Sequence, residues 1–529
     1  MSQSQSTLLI SLTDHLELFH DADRAGYATI EFEGHKEHWA IRAKGFKDWL
    51  RYQFYQTYDK VPNVQAVQDA VNTIEGKAVF EGSECEVYTR IAHHDQQIYV
   101  DMGDSLWRVI QIDGDGWQVI SNSPIKFRRP RGMRPLPEPI RGGEIDRFWR
   151  FANIKKSDRI LVLAWIVAAF RPIGPYPVLV LQGEQGTAKS SLVRTIKNLI
   201  DPSNPELRTK PRNEHDFILA ARNSWVVTFD NLSGLPDWLS DALCRLATGG
   251  GFSTRQLYTD TEEILIDVMR PSILNGIDDI ATREDLIDRA IVLNLEPISN
   301  DQRRDEVGLW RDFNEIKPEL LGSLLDHVVD AIRNLPSTHL TESPRMADFA
   351  KWSVAAFGDA FLIAYQSSVQ SAVEIGLEGS LVAQAVRGFM ANRSEWTGKP
   401  GELYELLNKA VSESTQHLKE WPKAPNKLSE KLRRIAPNLR KVGIDIGWSR
   451  QGSARLVTLE NTRNLPSLSS LPSQCQQNQA IPGDDCIVIS DGNEIGPSPL
   501  KPSTGVGLDD SDGNDGILPL CSDLKVVDL

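Results

Sequence analysis

The loop between a short apolar segment and a helical pattern is the feature that most restricts the fold of this chain. Pro177 to Gln182 has the length and apolar character of a buried strand, and Ser191 to Ile200 has helical periodicity. The loop that joins them is Gly183-Glu184-Gln185-Gly186-Thr187-Ala188-Lys189-Ser190. The backbone N–H groups of such a loop, together with a helix N-terminus, can surround a phosphate group. The segment therefore predicts a phosphate-binding loop.

The loop residues themselves predict that the bound anion is ATP with Mg²⁺. Lys189 is placed to contact the β- and γ-phosphates, and the hydroxyl of Ser190 is a suitable Mg²⁺ ligand. We expect the backbone from Gly183 to Ser191 to enclose the nucleotide. Ala188 stands where a glycine usually precedes the lysine. A strand–helix turn with a lysine present by chance is the competing interpretation, and the flanking strand and helix count against it.

Two further apolar segments end in polar residues that suit the same site. Trp225 to Phe229 is followed by Asp230, a carboxylate that can hold Mg²⁺ through water. Asn231 comes next, where many such ATPases have a second acid that orients the attacking water. Pro271 to Leu274 is followed by Asn275, whose side chain can hydrogen-bond that water or the γ-phosphate. These three polar residues and the loop lysine are candidate catalytic residues.

An arginine precedes the fourth apolar segment, Ala290 to Leu295. The guanidinium of Arg289 has the planar donor geometry that fits a γ-phosphate. The same side chain could instead pair with Asp285 or Asp288 on the protein surface. The order of the four elements favours the first interpretation.

These elements, in this order, resemble the superfamily 3 helicases of the AAA+ class, which occur in small DNA viruses, phages and integrated elements. Residues 150–300 carry the resemblance, and Leu239 to Gly251 looks like the corresponding part of ATPases encoded in bacterial integrative elements. The resemblance implies a P-loop AAA+ core in a homo-oligomer, a hexameric ring. It also implies that Arg289 is an arginine finger, which reaches the ATP of the neighbouring subunit.

A β-hairpin is predicted between Phe252 and Ile266, because two β-prone arms flank a Thr-Asp-Thr turn. The resemblance places this hairpin in the ring channel, where it would contact single-stranded DNA. There Arg255 would meet a phosphate and Tyr258 would stack on a base. The acidic residues at and after the turn would repel a DNA backbone. The charge pattern leaves both interpretations open.

A basic unit follows the helical part of the chain. Residues 401–460 contain eleven basic and seven acidic residues, a balance of +4. Apolar residues recur there at helical spacing, at Leu428, Leu432, Ile435 and Leu439. Two strand-like segments then predict a wing, and hence a winged helix on duplex DNA with the contact residues Lys427, Lys431, Arg433, Arg434 and Arg450. A helix that caps the ATPase, or a winged fold that binds protein, is the alternative.

The net charge of −14 is unevenly distributed, so it is a poor guide to partners. Residues 461–529 contain ten acidic and three basic residues, and their composition predicts a disordered tail. The fold class that we predict is multidomain α/β, with a parallel sheet in the ATPase core. Its predicted parts are an α+β N-terminal domain without an assigned role (1–130), the ATPase core (145–300), a helical region (301–398), the winged-helix-like domain (399–460) and the acidic tail (461–529).

Several other classes of protein are excluded. The five scattered cysteines include no CxxC pair, which argues against a disulfide framework and a zinc site. No apolar stretch approaches the roughly 18 residues that span a bilayer, and the N-terminal residues do not have the pattern of a signal peptide. We therefore expect a cytoplasmic protein with no membrane partner. The basic run at 126–131 is expected to be a solvated linker.

Two function classes follow. The first is an ATP-driven motor that translocates on DNA or unwinds it for the replication of a mobile element. The second is a nucleotide-gated scaffold or phage-defence switch, which hydrolyses ATP slowly and acts through protein partners. The order of the motifs and the basic unit favour the first class, whereas Asn231 and the acidic hairpin favour the second.

Overall fold

The computed structural model describes residues 3–255, 263–266, 268–277, 280–281, 283–451 and 454–462, with the backbone alone at 252–255, 263–266 and 454. Tyr258 and nearly all of the predicted acidic tail lie outside these residues. None of the helices that the structure describes is both long and apolar enough to cross a bilayer.

The N-terminal part consists of two four-stranded sheets, a two-stranded sheet and three helices. In chain order its elements are α1 (Gln5–Ser11), β1 (Glu17–His20), β2 (Gly26–Phe32), β3 (His35–Ala40), α2 (Lys44–Tyr58), α3 (Val64–Phe80), β4 (Ser83–Glu84), β5 (Val87–Tyr88), β6 (Ile91–His94), β7 (Gln97–Asp101), β8 (Val109–Ile112), β9 (Trp117–Ile120) and β10 (Lys126–Phe127). The first sheet has the order β3-β2-β1-β4, and the second is the meander β6-β7-β8-β9. Glu33 and Gly34 join β2 to β3 with φ angles of 40° and 87°, the positive values that tight hairpins need. This part of the chain therefore contains both helices and antiparallel sheets.

The central part contains a parallel sheet, helices and a hairpin. Its elements are α4 (Arg159–Ala168), β11 (Val178–Gln182), α5 (Lys189–Ile200), α6 (Glu214–Arg222), β12 (Val227–Leu232), α7 (Asp237–Thr248), β13 (Phe252–Arg255), β14 (Glu263–Ile266), β15 (Ser272–Gly276), α8 (Glu284–Ile287) and β16 (Ala290–Asn294). The sheet order is β12-β15-β11-β16, and every pair is parallel. Strands that follow β11 lie on both sides of it, so the carboxyl end of β11 is a topological switch point, where α/β sheets bind ligands. The predicted parallel sheet is confirmed.

Burial explains why apolar residues dominate these strands. All five residues of β11 and all five of β15 are buried, because helices cover both faces of the sheet. One of the covering helices, α4, has eight buried residues in a row from Leu161 to Ala168. Its indole, Trp165, donates a hydrogen bond of 2.7 Å to the carbonyl of Pro177, just before β11. The strand that carries the predicted phosphate-binding loop is therefore fixed in the middle of the core.

The C-terminal part is mainly helical and ends in a small antiparallel sheet. Its elements are α9 (Glu306–Asn334), α10 (Ala347–Phe357), α11 (Asp359–Glu378), α12 (Leu381–Met390), β17 (Glu395–Gly398), α13 (Pro400–Ala410), α14 (Glu413–His417), α15 (Pro425–Lys441), β18 (Ile444–Gln451) and β19 (Ala454–Asn461). The strand order is β17-β19-β18. The four apolar residues predicted to line one face of α15 are buried in a core that also includes residues of α12 and the end of α11. This core therefore extends N-terminally beyond residue 399.

A buried ionic network joins the N-terminal part to the central sheet. Asp201, directly after α5, accepts a hydrogen bond of 3.0 Å from Nε of Arg90, whose side chain is fully buried. The backbone N–H groups of Trp225 and Val226 donate to the same carboxylate at 2.9 and 3.1 Å. Burial by itself raises the pKa of Asp201, but Lys197, Arg90 and the N–H of Val226 outweigh it and hold the pKa below its usual value. The carboxylate is therefore ionised and fully paired.

The basic run at 126–131 is not the solvated linker that its composition indicated. Nη2 of Arg128 donates to the carbonyl of Arg222 at 2.5 Å, and Arg129 forms two hydrogen bonds with the buried carboxylate of Asp101. The guanidinium of Arg129 also stacks on the indole of Trp107, 3.8 Å from the ring centre. Arg128 therefore links the N-terminal part to the central part, whereas Arg129 is paired within the N-terminal part. The prediction was wrong because adjacent basic residues find different partners that are distant in sequence.

We predict that Asp201→Ala lowers the free energy of unfolding by about 3–5 kcal/mol, because it leaves two buried cations and two N–H groups without their acceptor. Urea unfolding followed by tryptophan fluorescence measures the change, since Trp225 lies in the network. Asp48→Ala removes an exposed carboxylate that pairs only on the surface of α2 and serves as the control. An unfolding midpoint of Asp201→Ala at the same urea concentration as that of the wild type would contradict a stabilising role for the network.

Candidate functional site

The polar strand ends named from the sequence meet at one edge of the central sheet. Leu181 of β11 is paired with Asn275 of β15, and Phe229 of β12 is paired with Leu274. The register between β12 and β15 shifts immediately after Phe229, and this irregularity contains Asp230 and Asn231. The carboxyl ends of three neighbouring strands therefore bring the loop, the carboxylate and the two asparagines together.

One polar contact across this edge joins the loop helix to β12. The hydroxyl of Ser190 donates a hydrogen bond of 2.8 Å to Oδ1 of Asp230. Ser190 belongs to the first turn of α5, and Asp230 is partly exposed. A hydroxyl and a carboxylate are the hard oxygen ligands that Mg²⁺ prefers. The pair therefore fits the ion that the sequence predicts.

Lys189 fills the concave side of its own loop. Its Nζ donates to the carbonyls of Gly183 and Glu184 at 2.6 and 2.7 Å and to Oγ1 of Thr187 at 3.2 Å. Partial burial lowers the pKa of Lys189, and the nearby carboxylate of Asp230 opposes that shift. The three oxygens act as substitute acceptors for the ammonium group. A phosphate could replace them, because all are neutral.

The backbone of the loop has the left-handed conformations that a tight turn around an anion requires. Gly183 and Gly186 have φ angles of 147° and 85°, and Ala188 has φ 61° and ψ 28°. A residue with a Cβ atom costs about 1–2 kcal/mol in this region, which is why glycine is usual before the lysine. Gln185 is exposed at the outer side of the loop, and Ser191 continues α5. The chain therefore tolerates Ala188 at a strained position.

The two asparagines are linked to each other. Oδ1 of Asn275 accepts a hydrogen bond of 2.8 Å from the backbone N–H of Asn231. Asn275 is 1% exposed, and its Nδ2 is buried without a partner among the described residues. An unpaired buried donor costs free energy, so an acceptor is expected there when the site is occupied. Asn231 has φ 55°, and its side chain is exposed.

Two residues that the sequence patterns did not indicate also contact the loop. Asn153 donates through Nδ2 to the carbonyl of Thr187 at 3.2 Å and to that of Glu296 at 2.6 Å. Arg303 lies beside Gly186, where a Cβ atom would be 3.2 Å from Nη2 of the arginine. Neither residue belongs to a motif: Asn153 precedes α4, and Arg303 comes close to the loop through the path of the chain after β16. Only the apolar length of β16, which predicts a strand beside β11, could have hinted at this path.

Arg289 lies at the opposite edge of the sheet from the loop. Its carbonyl accepts from the N–H of Val178, the first residue of β11, whereas the loop begins after the last residue of that strand. Five residues of strand separate the two ends by roughly 16 Å. Nη1 of Arg289 donates to the carbonyl of Asp285 at 2.7 Å and lies 3.8 Å from its carboxylate, which is the ion pair of the competing interpretation. Its Nε is buried without a partner among the described residues. Arg289 therefore does not reach the phosphate loop of its own chain.

The acidic turn around Arg289 is covered by the C-terminal helix α15. Lys441 forms an ion pair of 2.8 Å with Asp288. Burial, together with the charges of Asp285 and Asp288, raises the pKa of Glu284 to about 8. The basic end of α15 thus faces the central part of the chain, which agrees in part with the alternative that this helix caps the core.

The predicted channel hairpin exists in its backbone. β13 and β14 pair antiparallel, with Arg255 opposite Glu263. The position of the Arg255 side chain and the whole of Tyr258 lie outside the described residues. Their roles in DNA contact therefore stay predictions.

The basic residues of α15 differ in whether they already have a hydrogen-bond or ion-pair partner. Glu430 pairs with both Lys427 and Arg434, at 3.0 and 2.8 Å, and Lys431 donates to the carbonyl of Glu420. The guanidinium of Arg433 lies over a ring of Trp448 at 5.9 Å. Of the four candidates on α15, Arg433 alone has no hydrogen bond or ion pair within the described residues.

The antiparallel hairpin of β18 and β19 carries two arginines directly opposite each other, Arg450 and Arg455. Both are exposed, and neither has an ion pair among the residues that the structure describes. Like charges at opposite positions destabilise a hairpin unless an anion lies between them. Arg455 was not singled out from the sequence, and its register position is the signal that identifies it.

Comparison with protein families matches two parts of the chain. Residues 145–374 match the model of the actinomycete integrative conjugative element replication protein. Residues 382–474 match the model of the AICE RepA C-terminal domain. The match confirms the replication and mobile-element part of the expectation from sequence. No curated protein matches the chain.

Two kinds of solved structure are similar at a low level. The A form apo structure of the NrS-1 C-terminal region is 12% identical, with a TM-score of 0.38, and the match covers 87% of this chain and 100% of that one. A ligand-bound JCV helicase is 10% identical, with a TM-score of 0.22, and the match covers 40% of this chain and 64% of that one. Likeness at these TM-scores carries no argument about function.

We predict that Lys189→Ala abolishes measurable ATP binding and leaves the thermal unfolding midpoint unchanged. The lysine bonds only to loop oxygens, most of which water can reach once the side chain is removed. Isothermal titration calorimetry measures binding, and Lys156→Ala, which removes an exposed lysine before α4, is the control. Wild-type affinity in folded Lys189→Ala protein would show that the loop does not bind phosphate.

Proposed function

We propose that this chain is an ATP-binding and ATP-hydrolysing motor that acts on DNA during the replication of an integrative element. The observation that carries the proposal is the contact of 2.8 Å between Ser190 and Asp230, on either side of the loop that Lys189 fills. Its family match supports the replication role, and the site supports the nucleotide chemistry.

Each of the residues at this edge of the sheet would have a different role in the reaction. Lys189 would exchange its bonds with loop carbonyls for bonds with the β- and γ-phosphates. Ser190 and Asp230 would hold Mg²⁺, which when bound neutralises phosphate charge. The unpaired Nδ2 of Asn275 would hydrogen-bond the attacking water or the γ-phosphate. Lys189 and Ser190 would exchange their present hydrogen-bond partners for the ligand, and Nδ2 of Asn275 would gain a partner.

Hydrolysis in this proposal needs two copies of the chain. Arg289 is remote from its own loop, and a guanidinium that neutralises transition-state charge must approach the γ-phosphate. A neighbouring subunit that places its Arg289 against this loop would complete the site. Repetition of that contact gives a closed homo-oligomer, and we propose a hexameric ring with single-stranded DNA in its channel. Arg433, Arg450 and Arg455, which have no ion pair among the described residues, would contact duplex DNA from a winged-helix unit.

A second function, a nucleotide-gated switch that works through protein partners, is favoured by one observation. Asn231 offers an exposed amide where a second carboxylate would orient water, and its backbone N–H is bound to Asn275. An amide is a poorer proton acceptor than a carboxylate, so hydrolysis would be slow. The two functions differ in whether hydrolysis depends on the neighbouring subunit.

Arg289→Ala is expected to keep ATP binding and to lower hydrolysis by at least about 10³, as for other arginines that act across an interface. Mixing Arg289→Ala with Lys189→Ala should restore part of the activity, because some interfaces then combine an intact lysine with an intact arginine. Steady-state phosphate release measures both effects.

The control for that experiment is Arg283→Ala, which removes an arginine of the same turn that pairs with Asp241 at 2.9 Å within the chain. It should hydrolyse ATP near the wild-type rate. An inactive mixture in which the two variants demonstrably co-assemble would exclude a shared site and leave the switch as the better function.

Replacing Arg433, Arg450 and Arg455 with Ala should weaken duplex DNA binding and flatten its salt dependence. Each lost phosphate contact removes about 0.9 from the log–log slope, so the loss is up to roughly 3. Fluorescence anisotropy at several salt concentrations measures the slope. The matched control is Lys427→Ala with Arg434→Ala, since both of these side chains already form an ion pair with Glu430. Identical slopes in the triple variant and the wild type would indicate that this unit binds protein.

A further inference from the structure

The chain passes along the phosphate loop a second time, after β16. The N–H of Leu295 donates to the carbonyl of Gln182 at 2.8 Å, and a Cβ atom on Gly183 would lie 2.6 Å from the carbonyl oxygen of Leu295. Asn153 ties Glu296 to the loop through the carbonyl of Thr187. This second pass is therefore held against the loop by backbone contacts on one side and by a side-chain bridge on the other.

The second pass ends at Arg303, whose charge has no ion-pair partner among the described residues. Nη2 and Cζ of Arg303 lie 3.2 and 4.0 Å from the position of a Cβ atom on Gly186. Arg303 is exposed and makes no hydrogen bond or ion pair with the described part of the chain. The next residue, Arg304, is by contrast paired with Asp312. A free guanidinium therefore stands beside the loop that is proposed to hold phosphates.

The backbone beyond Arg303 is fixed, although its side chain is free. Asp305 caps α9 by accepting a hydrogen bond of 2.6 Å from the N–H of Gly308. Glu306 accepts one of 2.9 Å from Arg194, which lies on α5, the helix that begins at the loop. These contacts fix the start of α9 relative to the phosphate loop. A fixed backbone with an unpaired guanidinium is the arrangement expected of a ligand-binding side chain. Little conformational entropy is then lost when the ligand binds.

We propose that Arg303 binds the terminal phosphate of the nucleotide held in its own chain, and so makes the site selective for a triphosphate over a diphosphate. The inference rests on the proposed function and deepens it. The guanidinium donates two parallel N–H groups, a geometry that matches a phosphate and that Lys189 cannot supply. Arg289 would approach from a neighbouring chain, whereas Arg303 is present in each chain before assembly. Gly186 keeps the path between Arg303 and the loop open.

The test is binding of Mg²⁺ with AMP-PNP, a triphosphate analogue that is not hydrolysed, and separately with ADP, by isothermal titration calorimetry on the full chain. Arg303→Ala should weaken AMP-PNP binding roughly 10- to 100-fold, the range for a charged hydrogen-bond partner, and ADP binding by less than about threefold. Arg303→Lys, which keeps the charge without the fork, should fall between. Arg311→Ala, an exposed arginine of α9 paired with Asp312, should match the wild type.

The outcomes separate this inference from the proposed function. Unchanged AMP-PNP affinity in Arg303→Ala, with wild-type binding that Lys189→Ala removes, would overturn the role of Arg303 and leave the ATP site standing. Equal losses for AMP-PNP and ADP would overturn the selectivity for a terminal phosphate. A wild-type protein that binds neither nucleotide would overturn the ATP site itself.

Discussion

The buried carboxylate of Asp201 is the constraint on which the rest of the structure depends. It ends the helix that begins at Lys189, and it binds Arg90 of the N-terminal part together with the first residues leading into β12. The two ends of α5 are thus fixed by different means, one by the loop and one by a charge network. Because β12 carries Asp230, the same carboxylate sets the separation between the two sides of the candidate magnesium site.

Local patterns predicted the parts of the molecule that depend on neighbours in sequence. Strand, loop and helix around Lys189 follow from short apolar runs and glycines, and the buried face of α15 follows from its periodicity. Parallel strands then bring Ser190, Asp230 and Asn275 together, because their carboxyl ends meet at one edge. Whether these residues bind ATP stays a prediction.

Long-range contacts could not be predicted in this way. Asn153 and Glu296 are 143 residues apart, and Arg90 and Asp201 are 111 residues apart, so no periodicity relates them. The prediction of a solvated linker from the charge pattern failed for the same reason. Arg128 and Arg129 are consecutive basic residues, but each forms hydrogen bonds with a different group that is distant in sequence. On α15 the reverse holds, since Glu430 lies within reach of two basic residues by helical spacing alone. Local charge is informative only where its partners are local.

The facing arginines of the β18–β19 hairpin have a consequence for its behaviour without a partner. Two positive charges held opposite each other in water repel, and dissolved ions screen that repulsion over about 10 Å at 0.1 M ionic strength. Added salt should therefore tighten this hairpin, the opposite of its effect on the surface ion pairs of α15. The repulsion between the two arginines therefore destabilises the hairpin by itself. A polyanion that binds between Arg450 and Arg455 would remove this repulsion and stabilise the hairpin.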